Sequence, residues 1–368
     1  MPASRARRAQ PTRGEGALNA RAPLDKIVED LLAVAAIPAP TFFEAARVDW
    51  LEKRLRASGG TRWRDDVGNL IWSIGAGPPE VLLTAHLDTV FDAETPLEIT
   101  RGDGILRGPG VGDNAAAVAV AISVFENLPR PLSAALAFTV GEEGLGDLRG
   151  ARGAVTALKP RAVIALEGHG LDRVIVDAVG SLRARVAVRG DGGHPWVDRG
   201  APSALHALFD LGAQLLAAAR DELVVNVGTA SGGRTINSLA DRAEFLVEGR
   251  SLRPKLLERF DRTLTALRVS PPLSLDIEVL GRRPTGRLDR RSNLLRTVLE
   301  VRDALGLSHA LDAGSTDANV ALALGIPAVA LGVANGAGMH TPGEWIDWRT
   351  LSLGRTQLEY VIKRLINK

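Results

Sequence analysis

The stretch "VLLTAHLDTVF", residues 81–91, decides how this chain is read. Its first five residues form a near-continuous apolar run, the pattern of a strand buried on both faces. They lead directly into His86 and Asp88, two groups that are costly to bury. Alone, a His-x-Asp spacing is a common accident: a half-buried imidazole and an aspartate opening a turn account for it. The surrounding segments carry the decision. "GNLIWSIG", "SAALAFTV" and "RAVIALE" are further near-continuous apolar runs, and "NAAAVAVAISVFENL" is a helix of small residues suited to close packing on a sheet. Strand alternating with helix at this pitch predicts an α/β domain, a mainly parallel sheet covered by helices on both faces.

Near Val179 the texture changes. "SLRARVAVRG" and "DRAEFLVEGRSL" alternate apolar and polar residues, as strands with one wet face do. Helical stretches "APSALHALFDLGAQLLAAA" and "PKLLERFDRTLTALRV" lie between and after them, followed by "LSLDIEVLG". The first texture returns near Arg287. The expected organisation is a catalytic domain of residues 23–179 and 287–368, interrupted by an inserted α+β unit over 180–286.

Bulk properties bound the function. A chain of 368 residues that is 45% hydrophobic and 24% charged has room for two domains and a sizeable core. It contains no cysteine, so a transition-metal site must be built from His, Asp and Glu. No apolar run approaches the roughly 18 residues of a membrane span, and the N-terminus lacks the apolar core of a secretory signal; the expected setting is the cytoplasm. The pI of about 9.2 invites a nucleic-acid reading. Residues 1–22, however, hold five Arg and one Glu, or +4, while the whole chain is +2, leaving the remainder near −2. A short basic leader, expected to be disordered, explains the pI without a nucleic-acid partner.

Five strand exits carry a His or a carboxylate. They are His86 and Asp88 after "EVLLTA", Asp113 in "RGPGVGDN", Glu142 and Glu143 in "GEEG", Glu167 in "ALEG", and His340 in "MHTPGEW". Groups at the carboxyl ends of parallel strands share one crevice. Asp113 alone reads as an N-cap, and the Glu pair as a solvated turn. Together, two His and three carboxylates suit two divalent ions of intermediate hardness such as Zn²⁺. The adjacent Glu pair permits one carboxylate to bind metal while its neighbour stays free as a base.

At this point the chain resembles the di-zinc metallopeptidase family of glutamate carboxypeptidase, aminoacylase, succinyl-diaminopimelate desuccinylase and peptidase T. The segments "TAHLDTV", "GPGVGDN", "GEEG", "ALEG", "GDGGHPW", "GGRTINSLA", "EGRS", "GSTDAN" and "MHTPGEWI" carry the resemblance from about residue 24 onward. It implies that His86, Asp113 and Glu167 hold one ion, and that Asp113, Glu143 and His340 hold the other, with Asp113 bridging. Asp88 would orient His86, and Glu142 would be general base and acid toward a metal-bridging water. The Asp113–Asn114 peptide would be cis. The inserted unit would act as lid and dimerisation domain, sending His194 to the site, often from the partner of a homodimer, to stabilise the oxyanion. Asn237 and Arg250 would bind substrate polar groups. His169, His206 and His309 match no family position, and Asn114 stands where many relatives carry a second acidic residue.

The function expected is hydrolysis of the amide bond of a small peptide, closer to the peptidase T-like and dipeptidase branches, with two Zn²⁺ ions (or Mn²⁺ or Co²⁺). An N-acyl-amino-acid deacylase with the same ligands stays open. A non-catalytic scaffold is a remote alternative, since every expected ligand and the base are present.

Overall fold

The computed structural model describes residues 15–129, 132–220 and 222–366. Its central sheet has nine strands, in the order Thr61–Arg64, Leu70–Ile74, Ala134–Thr139, Val81–His86, Val163–Glu167, Ala328–Gly332, Arg173–Ala178 and Gly286–Arg287, with Ala310–Gly314 paired to Arg173–Ala178. The four middle strands, from Ala134–Thr139 to Ala328–Gly332, run parallel. Antiparallel strands flank them on either side. Every residue of Val81–His86 and Ala134–Thr139 is buried, which is why these segments read as continuous apolar runs and not as alternating ones. Each fully buried Leu or Val there contributes about 1.5–3 kcal/mol.

Two helix groups cover the sheet. Glu15–Ala35, Ala117–Glu126 and Leu351–Ile366 touch one another, and Arg149–Leu158 touches Ala318–Ala323; members of both groups contact the same middle strands, and so lie on opposite faces. Eight of the ten residues of Ala117–Glu126 are buried, and its small side chains allow close approach to the strands. The first helix begins at Glu15, inside the stretch expected to be a disordered leader, because Glu, Ala, Leu and Arg here are good helix formers. The rest of that leader, residues 1–14, lies outside the described residues. Among the described residues no helix is long and apolar enough to cross a membrane.

The inserted segment forms a separate four-stranded antiparallel sheet, ordered Val224–Gly232, Arg242–Ser251, Gly180–Arg189 and Ser274–Arg283. Arg242–Ser251 alternates buried and accessible positions as its sequence pattern predicts. The helices Ala204–Leu216 and Pro254–Ala266 close a second core around Phe245, Phe260 and Leu264, which shares no residue with the first. Two chain crossings join the units. Asn319 pins both, its Nδ2 donating to the Val179 and Pro284 oxygens at 2.9 and 3.0 Å. A third, small sheet pairs Trp345–Asp347 with Ile105–Arg107 and so sets the loop before Trp345 beside the loop after Arg107.

Candidate metal centre

Register brings the acidic and histidine residues to one edge. His86 lies opposite Thr139, and Gly332 opposite Glu167, so all four parallel strands end together. Asp113 enters from a distorted helical turn, residues 111–116, in which it and Asn114 leave helical dihedrals. The Asp113–Asn114 peptide is cis. Asn114 is buried and donates its Nδ2 to the Leu166 oxygen at 2.9 Å, so its amide braces the neighbouring strand.

His86 Nε2 is 3.0 Å from Asp113 Oδ1 and 3.8 Å from Glu167 Oε2. On the other side of Asp113, His340 Nε2 is 3.2 Å from Asp113 Oδ2 and 3.2 Å from Glu143 Oε1. Both expected donor sets therefore converge, each with its ligand atoms within 4.8 Å of one another, and a third grouping joins His86 to Glu142 and Glu143. The donors suit divalent cations: two imidazoles and three carboxylates, with Asp113 offering one oxygen to each side. The electrostatics point the same way. Burial drives the Glu167 carboxyl well above its usual range, with His86 pulling it back and Asp113 and Glu142 pushing it further. Burial also opposes ionisation of Asp113, but hydrogen bonds to His340 and His86 reverse this and hold it far below the usual carboxylate range. Hydrogen bonds to Asp113 and then to Glu143 raise His340 to about 10. Such a cluster of carboxyl and imidazole groups around Asp113 is what a cation site presents.

Asp88 meets His86 through its backbone oxygen, and its carboxylate is directed elsewhere. His86 Nδ1 is 3.1 Å from the Asp88 backbone oxygen and 3.6 Å from its carboxylate. The carboxylate itself accepts from the backbone N–H of Glu142 at 3.0 Å, from that of Glu143 at 2.8 Å, and from the Thr41 hydroxyl at 2.9 Å. It anchors the loop that carries the Glu pair. Glu142 is buried, and its carboxyl is raised to about 8 by burial, against the pull of Arg283 and with a further push from Glu143. A carboxyl poised near neutrality is suited to accepting and returning a proton.

The roles of several residues at this centre carry no signal in the sequence. Glu344, fully buried, accepts from the Gly110, Gly112 and Asp113 N–H groups at 2.7, 3.0 and 2.7 Å, and its Oε1 lies 2.7 Å from His169 Nε2. His169, which matches no family position, is thus a buried structural partner; His206 and His309 are exposed. Arg283 donates to Glu142 Oε1 at 3.0 Å, to Ser315 Oγ at 3.1 Å and to the Glu142 backbone oxygen. Nothing but contact across the two units reveals it.

The residues frame a cavity of about 600 Å³, within the usual range for a small-molecule site. Arg250 lines it, with Arg173, Arg183 and Arg283. His194 and Asn237 do not. His194 is exposed, its Nδ1 accepting from the Trp196 and Val197 N–H groups, and Asn237 Oδ1 accepts from the Thr235 hydroxyl. A Gly193–Leu239 bridge holds their two loops together on the surface of the inserted unit.

The sequence profile of peptidase family M20/M25/M40 matches residues 82–364. A putative [LysW]-lysine/[LysW]-ornithine hydrolase of Pyrococcus abyssi is 27% identical over 351 residues, covering 94% of this chain and 96% of its own length. An acetylornithine deacetylase of Myxococcus xanthus is 28% identical over 335 residues, covering 81% and 86%. Among solved structures, a tripeptidase of Staphylococcus aureus superposes with a TM-score of 0.74 at 20% identity, covering 94% of this chain and 99% of its own.

Proposed function

This chain belongs to peptidase family M20/M25/M40 and is a metallo-hydrolase, and from that premise we propose that it hydrolyses the amide bond of a small peptide, with Glu142 as general base. The observation that carries this reading is the meeting of five candidate ligand side chains and a further buried carboxyl, that of Glu142, at the edge of a single cavity. His86, Asp113 and Glu167 would hold one divalent ion, and Asp113, Glu143 and His340 the other, zinc in this reading with manganese or cobalt as substitutes. When bound, the two ions supply Lewis acidity and an activated water. Glu142 takes the proton of the attacking water and returns it to the leaving nitrogen. Asp88 keeps Glu142 and Glu143 in place through their N–H groups. Arg250 grips a carboxylate on the substrate, so that binding at the far end positions the scissile bond.

His194 and Asn237 enter the same reading through a second copy of the chain. Their loops carry the exposed Trp196, Val197 and Ile236, apolar groups that a homodimer would cover while delivering His194 to the partner's cavity for oxyanion stabilisation. The inserted unit would then be both lid and dimerisation domain, and the cytoplasm the place of work. An N-acyl-amino-acid deacylase is the second reading, favoured by the likeness to an acetylornithine deacetylase.

The test is hydrolysis of a panel of dipeptides, tripeptides and N-acetyl-amino acids by metal-loaded protein. Cleavage of one peptide class that chelators abolish supports the reading. Cleavage confined to N-acetyl-amino acids selects the deacylase, and an inert protein holding two ions per chain removes both.

A further inference from the structure

The loop carrying Glu142 and Glu143 is held from two sides. Beneath it, the Asp88 carboxylate takes the N–H groups of Glu142 and Glu143. Above it, two arginines of the inserted unit take its carbonyl groups: Arg283 donates to the Glu142 oxygen and Arg183 to the Gly144 oxygen. These arginines stand on neighbouring strands, Arg183 facing Gly281 two residues before Arg283. Arg183 is in turn committed at its other end. Its Nε donates to Glu248 Oε1 at 2.6 Å, while Glu248 Oε2 accepts from Arg250 Nε at 2.6 Å. Burial raises the Glu248 carboxyl, but hydrogen bonds from Arg250 and Arg183 more than reverse this and leave it below its usual range, an anion locked between two cations. A continuous chain of charge-assisted hydrogen bonds therefore runs from Arg250 on the cavity wall, through Glu248 and Arg183, to the loop bearing the base.

We propose that Glu248 and Arg183 are positioning residues that transmit engagement of a substrate carboxylate at Arg250 to the Glu142–Gly144 loop, so that a free carboxylate on the substrate raises kcat and not only lowers KM. This rests on the reading that Arg250 grips such a carboxylate. The physical case is that remote binding energy accelerates the chemical step only when it is realised at the reacting groups. Here it has a direct route to them. Were the Glu248 contacts mere packing, substrates with and without the carboxylate would suffer alike from their loss.

The experiment compares a dipeptide that the holoenzyme cleaves with the same dipeptide as its C-terminal amide. Wild type is expected to favour the acid in kcat by about 10-fold, the scale of an ordinary coupling between sites. In Glu248→Gln and in Arg183→Lys, the acid-over-amide ratio of kcat should fall toward one. Adding Arg250→Gln to either should lower it no further, the signature of residues acting as one unit. Arg183→Lys keeps the charge, so it remains informative if Glu248→Gln fails to fold. Equal losses of kcat on acid and amide in folded variants, or a change in KM alone, would overturn the coupling while leaving Arg250 as the carboxylate grip. Indifference of wild type to the carboxylate, with Arg250→Gln silent, would overturn the grip itself and the coupling with it.

Discussion

The central sheet and the inserted sheet face one cavity with contrasting chemistry. The central sheet offers carboxylates and imidazoles at the ends of strands buried on both faces, and the inserted sheet offers arginines from strands with one wet face. A strand buried along its whole length can carry a polar group only where it ends, so its ligands gather at one edge. A half-exposed strand can present a charge at every second residue, and Arg183, Glu248 and Arg250 come from such positions on paired strands. The floor of the site thus presents groups suited to cations and its roof groups suited to anions.

That contrast can be broken most severely by removing the cations. Chelation should abolish hydrolysis, and it should lower Tm, because the metal-free floor keeps several carboxylates buried together; metal held at 100-fold its Kd is worth about 2.7 kcal/mol to the folded state. Activity and Tm that are both unmoved by full metal removal, checked by elemental analysis, would mean that the floor is not a metal site.

Next in size is Glu142→Gln, which keeps shape and removes the proposed base. We expect kcat to fall by roughly 10²–10⁴-fold with metal content unchanged. Retention of wild-type turnover would move the base elsewhere.

Glycine substitutions sharpen the comparison at smaller cost. A Cβ at Gly112 would collide with His169 Nε2 and Glu344 Oε1, the buried pair beneath Asp113. Gly112→Ala should destabilise the protein by about 1–3 kcal/mol, as overpacking does, and lower activity by shifting Asp113; denaturant melts and kcat report the two effects separately. In the inserted unit the expectation reverses. Gly212 lies inside the helix Ala204–Leu216, and a Cβ there meets only Phe245 Cε1 at 3.7 Å. Gly212→Ala should stabilise that unit by roughly 0.5–1 kcal/mol with kcat unchanged. A destabilised Gly212→Ala would show that the inserted core is as tightly filled as the floor of the site.

Much of this was legible before any coordinates. The continuous apolar runs ending in His86, Glu142 and Glu167 marked both the parallel strands and the edge where they act, since burial on both faces erases alternation. The alternating runs after Val179 marked the second sheet for the complementary reason. The edge strand Val224–Gly232 carries no clear strand pattern, because "VVNVGTASG" ends in small polar residues and is largely exposed. Glu344 stood within a recognised motif without a role, as nothing along the chain brings it within reach of Gly110–Asp113. The charge of residues 1–22 reads as that of a leader, yet from Glu15 onward the residues favour helix and form one.

The sequence by itself determined the α/β pattern, the interruption by a second unit, and which side chains could serve as ligands, because burial and chemical type are properties that each residue carries with it. Only the tertiary structure decided that Asp88 anchors the Glu142–Glu143 loop, that Glu344 and His169 brace Asp113, that Arg183 and Arg283 reach that loop from the inserted sheet, and that His194 and Asn237 stand outside their own chain's cavity. These are relations between groups up to about 230 residues apart, and short-range patterns along a chain hold no record of which distant backbone will come to lie 3 Å away.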